Sequence, residues 1–226
     1  MALTRVLRIG WGAAKANAVP TFVLWSFVFC LVLSYYFLAE VAVCFEKIRL
    51  WQETFGWKAV VVSRIVFNGL IPGVFLLGVK KIRPQRPWAT ILAQAAFGCV
   101  FGLFCDAFFR LQNVWFGEGP DLLALTQKTL IDQFVWTVLV IAPTNAVFFF
   151  WLGRDLSWRR TRSEWPRGRF FSELVLPNLI PNWIVGVPAI FATYAFPVDL
   201  QIHVNGLVSS FWMLMCLQIG RRSATS

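Results

Sequence analysis

The stretch Thr129–Trp151, TLIDQFVWTVLVIAPTNAVFFFW, constrains the fold more than any other part of the chain. Its 23 residues are nearly all apolar. At ~1.5 Å rise per residue, a helix of that length covers the ~30 Å hydrocarbon core of a bilayer. Asp132 and Gln133 fall in the first turn of this predicted helix, and Pro143, Thr144 and Asn145 near its middle. Lipid offers such groups no partner, so neighbouring helices must cover them. The expected fold class is therefore all-α, an integral membrane bundle whose other helices shield the polar face of this one.

Composition agrees. Of 226 residues, 58% are hydrophobic and 14% charged, whereas soluble domains average about 25% charged. The net charge of +10 does not point to nucleic acid, because the basic residues lie between apolar runs and form no nucleic-acid-binding motif. They suit anionic lipid headgroups instead, with Lys80, Lys81, Arg83, Arg86, Arg159, Arg160 and Arg162 as candidates. Cys30, Cys44, Cys99, Cys105 and Cys216 lie in or beside apolar segments without a CxxC pair, and read as small buried hydrophobes.

Residues 1–19 carry Arg5, Arg8 and Lys15 and no acid, with Leu3, Val6, Leu7, Trp11 and Ala14 on the opposite helical face. This pattern fits an interfacial helix or an uncleaved organelle-targeting segment. Six apolar segments follow: Pro20–Cys44, Trp57–Val79, Trp88–Phe109, Thr129–Leu152, Phe171–Phe196 and Leu200–Ile219. The fifth holds Pro177, Pro181 and Pro188, so either a continuous crossing or a broken helix fits it. Loop charges alternate. The tail, the Lys80–Arg86 loop, the Arg154–Arg169 loop and Arg221-Arg222 are basic. The loops with Glu46–Glu53, Glu118–Asp121 and Asp199 are neutral or acidic. Six crossings with both termini on the positive, matrix or cytoplasmic, side satisfy that alternation throughout. Trp51, Trp57, Trp88, Trp115 and Trp158 sit where an interfacial aromatic belt belongs.

Polar groups inside the predicted spans form two layers. Glu40, Arg64, Asp106, Arg110 and Asp132 fall towards the non-basic ends. Glu40 is within reach of Arg64 if the first two spans adjoin, Asp106 and Arg110 are spaced to pair on one helix face, and Asp132 is stabilised by a helix N-terminus. Ion pairs locking the bundle and a charged vestibule both fit this set. Deeper lie Asn68, Gln94, Asn145, Asn178, Asn182 and Asn205, several beside prolines. Amides of this kind either join helices or line a wet path. No nucleophile–base pair, phosphate loop or histidine-rich metal cluster stands out, so neither an enzyme nor a bound cofactor is expected.

KTLIDQFVWTVLVIAP at 128–143, Asn182-Trp183 followed by Val187-Pro188, FGCVFG at 97–102 with Phe108-Phe109, and GWKAVVVSRIVFNGLIPG at 56–73 are similar to signatures of the Mpv17/PMP22 family of small organelle membrane proteins. Asn205 and Trp212 fit that family's tryptophan-bearing last helix. The chain differs at Gly102-Leu103, Val138 and Phe191-Ala192, where the family has Gly-Pro, proline and arginine. The resemblance divides the chain into a basic N-terminal segment (1–19), an extra helix and loop (20–56), a family-like domain (57–220) and a basic tail (221–226). It implies a mitochondrial inner-membrane location, with peroxisomal or bacterial plasma membrane as alternatives. It also implies a non-enzymatic accessory subunit of a membrane complex, with other subunits and membrane lipids as partners. The second expectation is a weakly selective small-solute or ion channel.

Overall fold

The computed structural model describes residues 18–78 and 83–222, apart from the side chains of Pro20, Pro177, Ile180, Pro181 and residues 212–222. The N-terminal segment up to residue 17, Lys80, Lys81 and residues 223–226 lie outside the described residues. All regular structure in the described part is helical. We label the helices α1 (Ala18–Phe37), α2 (Ala39–Phe55), α3 (Trp57–Gly78), α4 (Pro87–Phe116), α5 (Leu122–Leu152), α6 (Trp158–Ser163), α7 (171–194) and α8 (Val198–Arg222). Among the described residues, α3, α4 and α5 are each long and apolar enough to cross a membrane, and the bent pair α1–α2 passes the same test only as a unit.

The first predicted span is corrected by that bend. The chain turns through 99° at Leu38, so the helix that begins near Pro20 ends at Phe37 rather than Cys44. The inside of the elbow is filled by aromatic rings. Tyr35 packs on Phe45 and Phe196 at 5.5 and 5.2 Å, and the Tyr36 hydroxyl donates to the Ala195 carbonyl at 2.6 Å. Beyond it, α2 carries Glu40, Glu46, Lys47, Arg49 and Glu53, a charge density that suits a helix lying across the bundle end better than a crossing. Arg49 there donates to both Glu46 and Glu53. At Gly56 the backbone takes φ +52°, a conformation that favours glycine, and the chain turns into α3.

Small residues let α3 and α4 approach closely as an antiparallel pair. A Cβ added to Gly69 would stand 2.8 Å from that of Ala95, and one on Gly73 3.1 Å from Ile91. Further along, the relation reverses: a Cβ on Gly98 would meet Asn68 at 2.6 Å, and one on Gly102 would meet Arg64 at 2.5 Å. Glycines four apart on each helix thus receive the partner's side chains, the close packing that membrane helices use in place of a hydrophobic driving force. Alternating direction continues through the bundle. Phe97 stacks on Phe148 and Phe108 on Trp136, which makes α4 and α5 antiparallel. Val175 and Leu179 pack with Ala142 and Ala146, which does the same for α5 and α7. The Trp25 indole donates to the Val185 carbonyl, with Leu24 and Val28 buried beside it, so α1 runs parallel to α7. The exposed Arg83 and Arg86 therefore share one end of the bundle with Arg159, Arg160 and Arg162, and α2, Asp121 and Asp199 lie at the other.

Two other expectations change. Helix α5 begins at Leu122, where Asp121 caps it by accepting from the Ala124 N–H at 2.9 Å. Asp132 is thus well inside the helix rather than in its first turn, and the helix terminus does not stabilise it. At 31 residues, α5 is about 46 Å long, beyond the hydrocarbon thickness. The fifth segment is helical from end to end despite its prolines. Cys30 and Cys44 are exposed rather than buried and Cys99 is half-buried, whereas Cys105 is buried as expected; the side chain of Cys216 lies outside the described residues.

Three helices share a further device. Wide π turns run over Ile65–Leu70 in α3, Asp132–Ile141 in α5 and Phe171–Val175 in α7. Each ends two residues before a proline: Pro72, Pro143 and Pro177. A proline ring clashes with the carbonyl four residues earlier and supplies no N–H. Widening the preceding turns relieves that clash without breaking the helix.

Candidate functional site: a cavity at the centre of the bundle

The two longest π turns bring polar side chains to the centre of the bundle. There α3, α4, α5, α7 and α8 line a partly open cavity of about 140 Å³. At ~30 Å³ per water it has room for about four or five waters. Arg64 and Asn68 of α3, Asp132, Gln133, Thr137 and Asn145 of α5, Asn182 of α7, and Asn205 and Ser209 of α8 line it, with Phe97, Phe101, Phe109, Trp136 and Phe149 as its apolar wall.

Glycines position the polar groups. The Arg64 stem lies over Gly102, Asn68 lies over Gly98, and the Gln133 amide oxygen is 2.8 Å from where a Cβ of Gly186 would be. Each notch lets a long polar side chain lie flat against the neighbouring helix and reach inward. Arg64, only 3% exposed, donates from Nη2 to Asn205 Oδ1 at 2.7 Å and from Nη1 to Ser209 Oγ at 3.0 Å. Asp132, 4% exposed, accepts from Gln133 Nε2 at 2.7 Å and from the Tyr194 hydroxyl at 2.9 Å. Gln112 donates to the same tyrosine oxygen, which fixes the phenol. The Trp183 indole donates to the Gln133 carbonyl at 2.9 Å, and Ser210 to the Phe67 carbonyl at 2.5 Å, so carbonyls in both π turns are held from outside their own helix.

Three polar atoms at the cavity have no protein partner: Arg64 Nε, Asn68 Oδ1 and Gln133 Oε1. Buried polar atoms in folded proteins are almost always paired with protein or water, so these three are the unsatisfied polar groups beside the cavity.

One turn before Asp132, Lys128 is fully buried. Its ammonium donates to Asn113 Oδ1 at 2.5 Å, and Asn113 Nδ2 donates to the Phe109 carbonyl and to Gln201 Oε1. Sequence reasoning had placed Lys128 only within a motif, and had not singled out Gln112, Asn113, Tyr194 or Gln201. The available signal was spacing. Lys128 and Asp132 are four apart, as are Asp106 and Arg110 on α4, so charged residues recur on single helix faces.

A second, open depression lies at the α2 end, lined by Gln52, Glu53, Trp57, Asp106, Arg110 and Asp199. Arg110 donates to Asp106 Oδ2 and to Asp199 Oδ1, each at 2.9 Å. The expected i,i+4 pair is therefore present, with Asp199 as an added partner. The remaining expectations for this layer are corrected. Glu40 does not approach Arg64, because the elbow at Leu38 carries it onto the exposed α2 while the guanidinium reaches towards α8. Arg64 and Asp132 belong to the inner cavity rather than to a vestibule with Asp106 and Arg110. In the inner layer, Asn68, Asn145, Asn182 and Asn205 do converge. Asn178 does not: it is exposed and donates back to the Leu174 carbonyl. Gln94 is fully buried between helices, away from the cavity lining.

No protein-family model, curated protein or solved structure matches this chain.

Proposed function

We propose that the chain is a small-solute conduit of a membrane, with the central cavity as its binding and passage point. The observation that carries this reading is the convergence of Asn145 and Asn182 with Arg64 and Asp132 on one cavity among the helices. A protein that served only as packing material would gain by filling that space with apolar side chains, since a buried charge in a span costs at least about 2.5–3.5 kcal/mol. Six crossings accompany the proposal: α1, α3, α4, α5, α7 and α8, with both termini on the basic side. The exposed arginines at 83, 86, 159, 160 and 162 would lie among anionic headgroups on that side. The resemblance of 57–219 to the Mpv17/PMP22 family favours an organelle membrane, the mitochondrial inner membrane first, and a non-enzymatic role.

Reconstitution of the purified chain into liposomes tests the conduit. Solute or ion flux that falls in Asp132→Asn supports it. Liposomes that stay tight while the chain co-purifies with other membrane proteins would overturn it in favour of the accessory-subunit role.

A further inference from the structure

The cavity holds one cationic and one anionic side chain, and neither meets an opposite charge. Among the described residues no carboxylate lies within 4 Å of the Arg64 guanidinium, and no lysine, arginine or histidine nitrogen within 4 Å of Asp132. Each is held by neutral groups, Arg64 by Asn205 and Ser209 and Asp132 by Tyr194 and Gln133. Direct pairing would have satisfied both charges most simply. The fold keeps them on separate walls instead.

Of the unpartnered atoms beside the cavity, Arg64 Nε is a donor, while Asn68 Oδ1, one turn further along α3, and Gln133 Oε1 are acceptors. Gln133 commits its amide nitrogen to Asp132 Oδ1, and its oxygen lies against Gly186. One side of the cavity is therefore cationic and the other anionic. A plain anion would satisfy the first and leave the second bare, and a plain cation the reverse. Arg64, Asp132 and Gln133 are each at least 96% buried, so bulk water does not screen the mismatch.

We infer that the cavity is a binding site for a small zwitterion, a carboxylate against Arg64 and an ammonium against Asp132 and Gln133 Oε1. The inference rests on the conduit reading and names its solute class. Size sharpens it. A cavity of about 140 Å³ takes a small solute that displaces a handful of waters, such as glycine or alanine.

The test uses the full chain in detergent and in liposomes. Equilibrium dialysis with radiolabelled glycine should show saturable binding that alanine competes for, at least about tenfold more strongly than propionate or ethylamine do. Arg64→Gln should cost glycine about tenfold or more while leaving ethylamine unchanged or improved, and Asp132→Asn should show the mirror pattern with propionate. Where a neutralised variant does not elute as a folded species, Arg64→Lys keeps the positive charge but replaces the guanidinium fork with a single ammonium. The glycine-to-ethylamine ratio should still fall. Glycine bound no better than propionate and ethylamine, or binding indifferent to these variants, would overturn the assignment. Erythritol efflux from proteoliposomes separates the two readings. Efflux without glycine preference overturns the zwitterion and keeps the conduit, whereas glycine binding without efflux of either solute keeps the site and overturns the conduit.

Discussion

Two arginines in this bundle face opposite circumstances. Arg110 lies at the α2 end, 43% exposed at its side chain, between two aspartates that it bridges. Arg64 lies deep among the helices, with a hydroxyl and an amide for partners and one donor left over. Where water reaches, the chain pairs its charges, at little cost and for little gain. Where the helices bury the charges, it keeps Arg64 and Asp132 apart and supports each with neutral groups. The inner arrangement costs more than the outer one, and that asymmetry is why the inner cavity, not the vestibule, carries the functional reading.

The largest effect is expected where a charge lies against a glycine. Gly102→Leu would drive a side chain into the Arg64 stem, which already stands 2.5 Å from the position of a Cβ. Overpacking of this kind costs about 3 kcal/mol and would separate α3 from α4. Tryptophan-fluorescence melting in detergent should show a large drop in Tm. Gly78→Leu meets nothing within 4 Å among the described residues and should leave the melt nearly unchanged. Equal melts for the two variants would show that the glycine notches do not position the cavity.

Next is Tyr194→Phe, which takes the hydroxyl from Asp132 and strands Gln112 as well. Leaving a buried carboxylate short of a donor costs about 1–3 kcal/mol. The expected result is a lower Tm together with reduced flux in liposomes, because the carboxylate is freed to turn. Trp183→Phe follows at about 1 kcal/mol, since it removes one hydrogen bond, to the Gln133 carbonyl, and keeps an aromatic ring. A Tm shift for Trp183→Phe larger than that for Tyr194→Phe would mean that the π turn, not the carboxylate, is the costlier feature.

The sequence carried the helical class and order of the long apolar segments, the alternation of basic loops and the i,i+4 pairing of Asp106 with Arg110, because these depend on neighbours along the chain, but α4 and α5 each run seven residues beyond the expected span. It also carried Asn68, Asn145, Asn182 and Asn205 as an inner layer, since an amide in an apolar run gains by turning inward; Asn178 instead satisfies its nitrogen on its own helix and stays outside. Misplacements arose from backbone changes that leave no periodic trace. The bend at Leu38 lacks glycine or proline at the break and is set by Tyr35, Tyr36 and Phe196, the last of them 158 positions further on. It carried Glu40 away from Arg64. The early start of α5 at Leu122 moved Asp132 into mid-helix. A π turn inserts extra backbone per turn, so the face that Thr137 and Asn145 present could not be assigned from a 3.6-residue period. Lys128 escaped notice because its partners, Asn113 and then Gln201, come from two other helices.

The smallest effect is predicted at the vestibule, and it sets the lower limit of the comparison. Asp199→Asn removes one of the two carboxylates that Arg110 bridges, and the guanidinium keeps Asp106. Exposed pairs contribute about 0.2–1 kcal/mol, so the single variant should shift Tm barely at all. A double-mutant cycle with Arg110→Gln isolates the pair, and its coupling should fall within that range at low salt. Screening then supplies a second handle. Raising ionic strength from ~0.01 M to ~1 M shortens the Debye length from about 30 Å to about 3 Å, so the vestibule coupling should shrink further. The penalty of Tyr194→Phe, paid in a site 4% or less exposed at both Asp132 and Tyr194, should stay the same across that range. Matching salt responses at Asp199 and Tyr194 would mean that ions reach both places alike, and the separation between a wet vestibule and a shielded inner cavity would collapse.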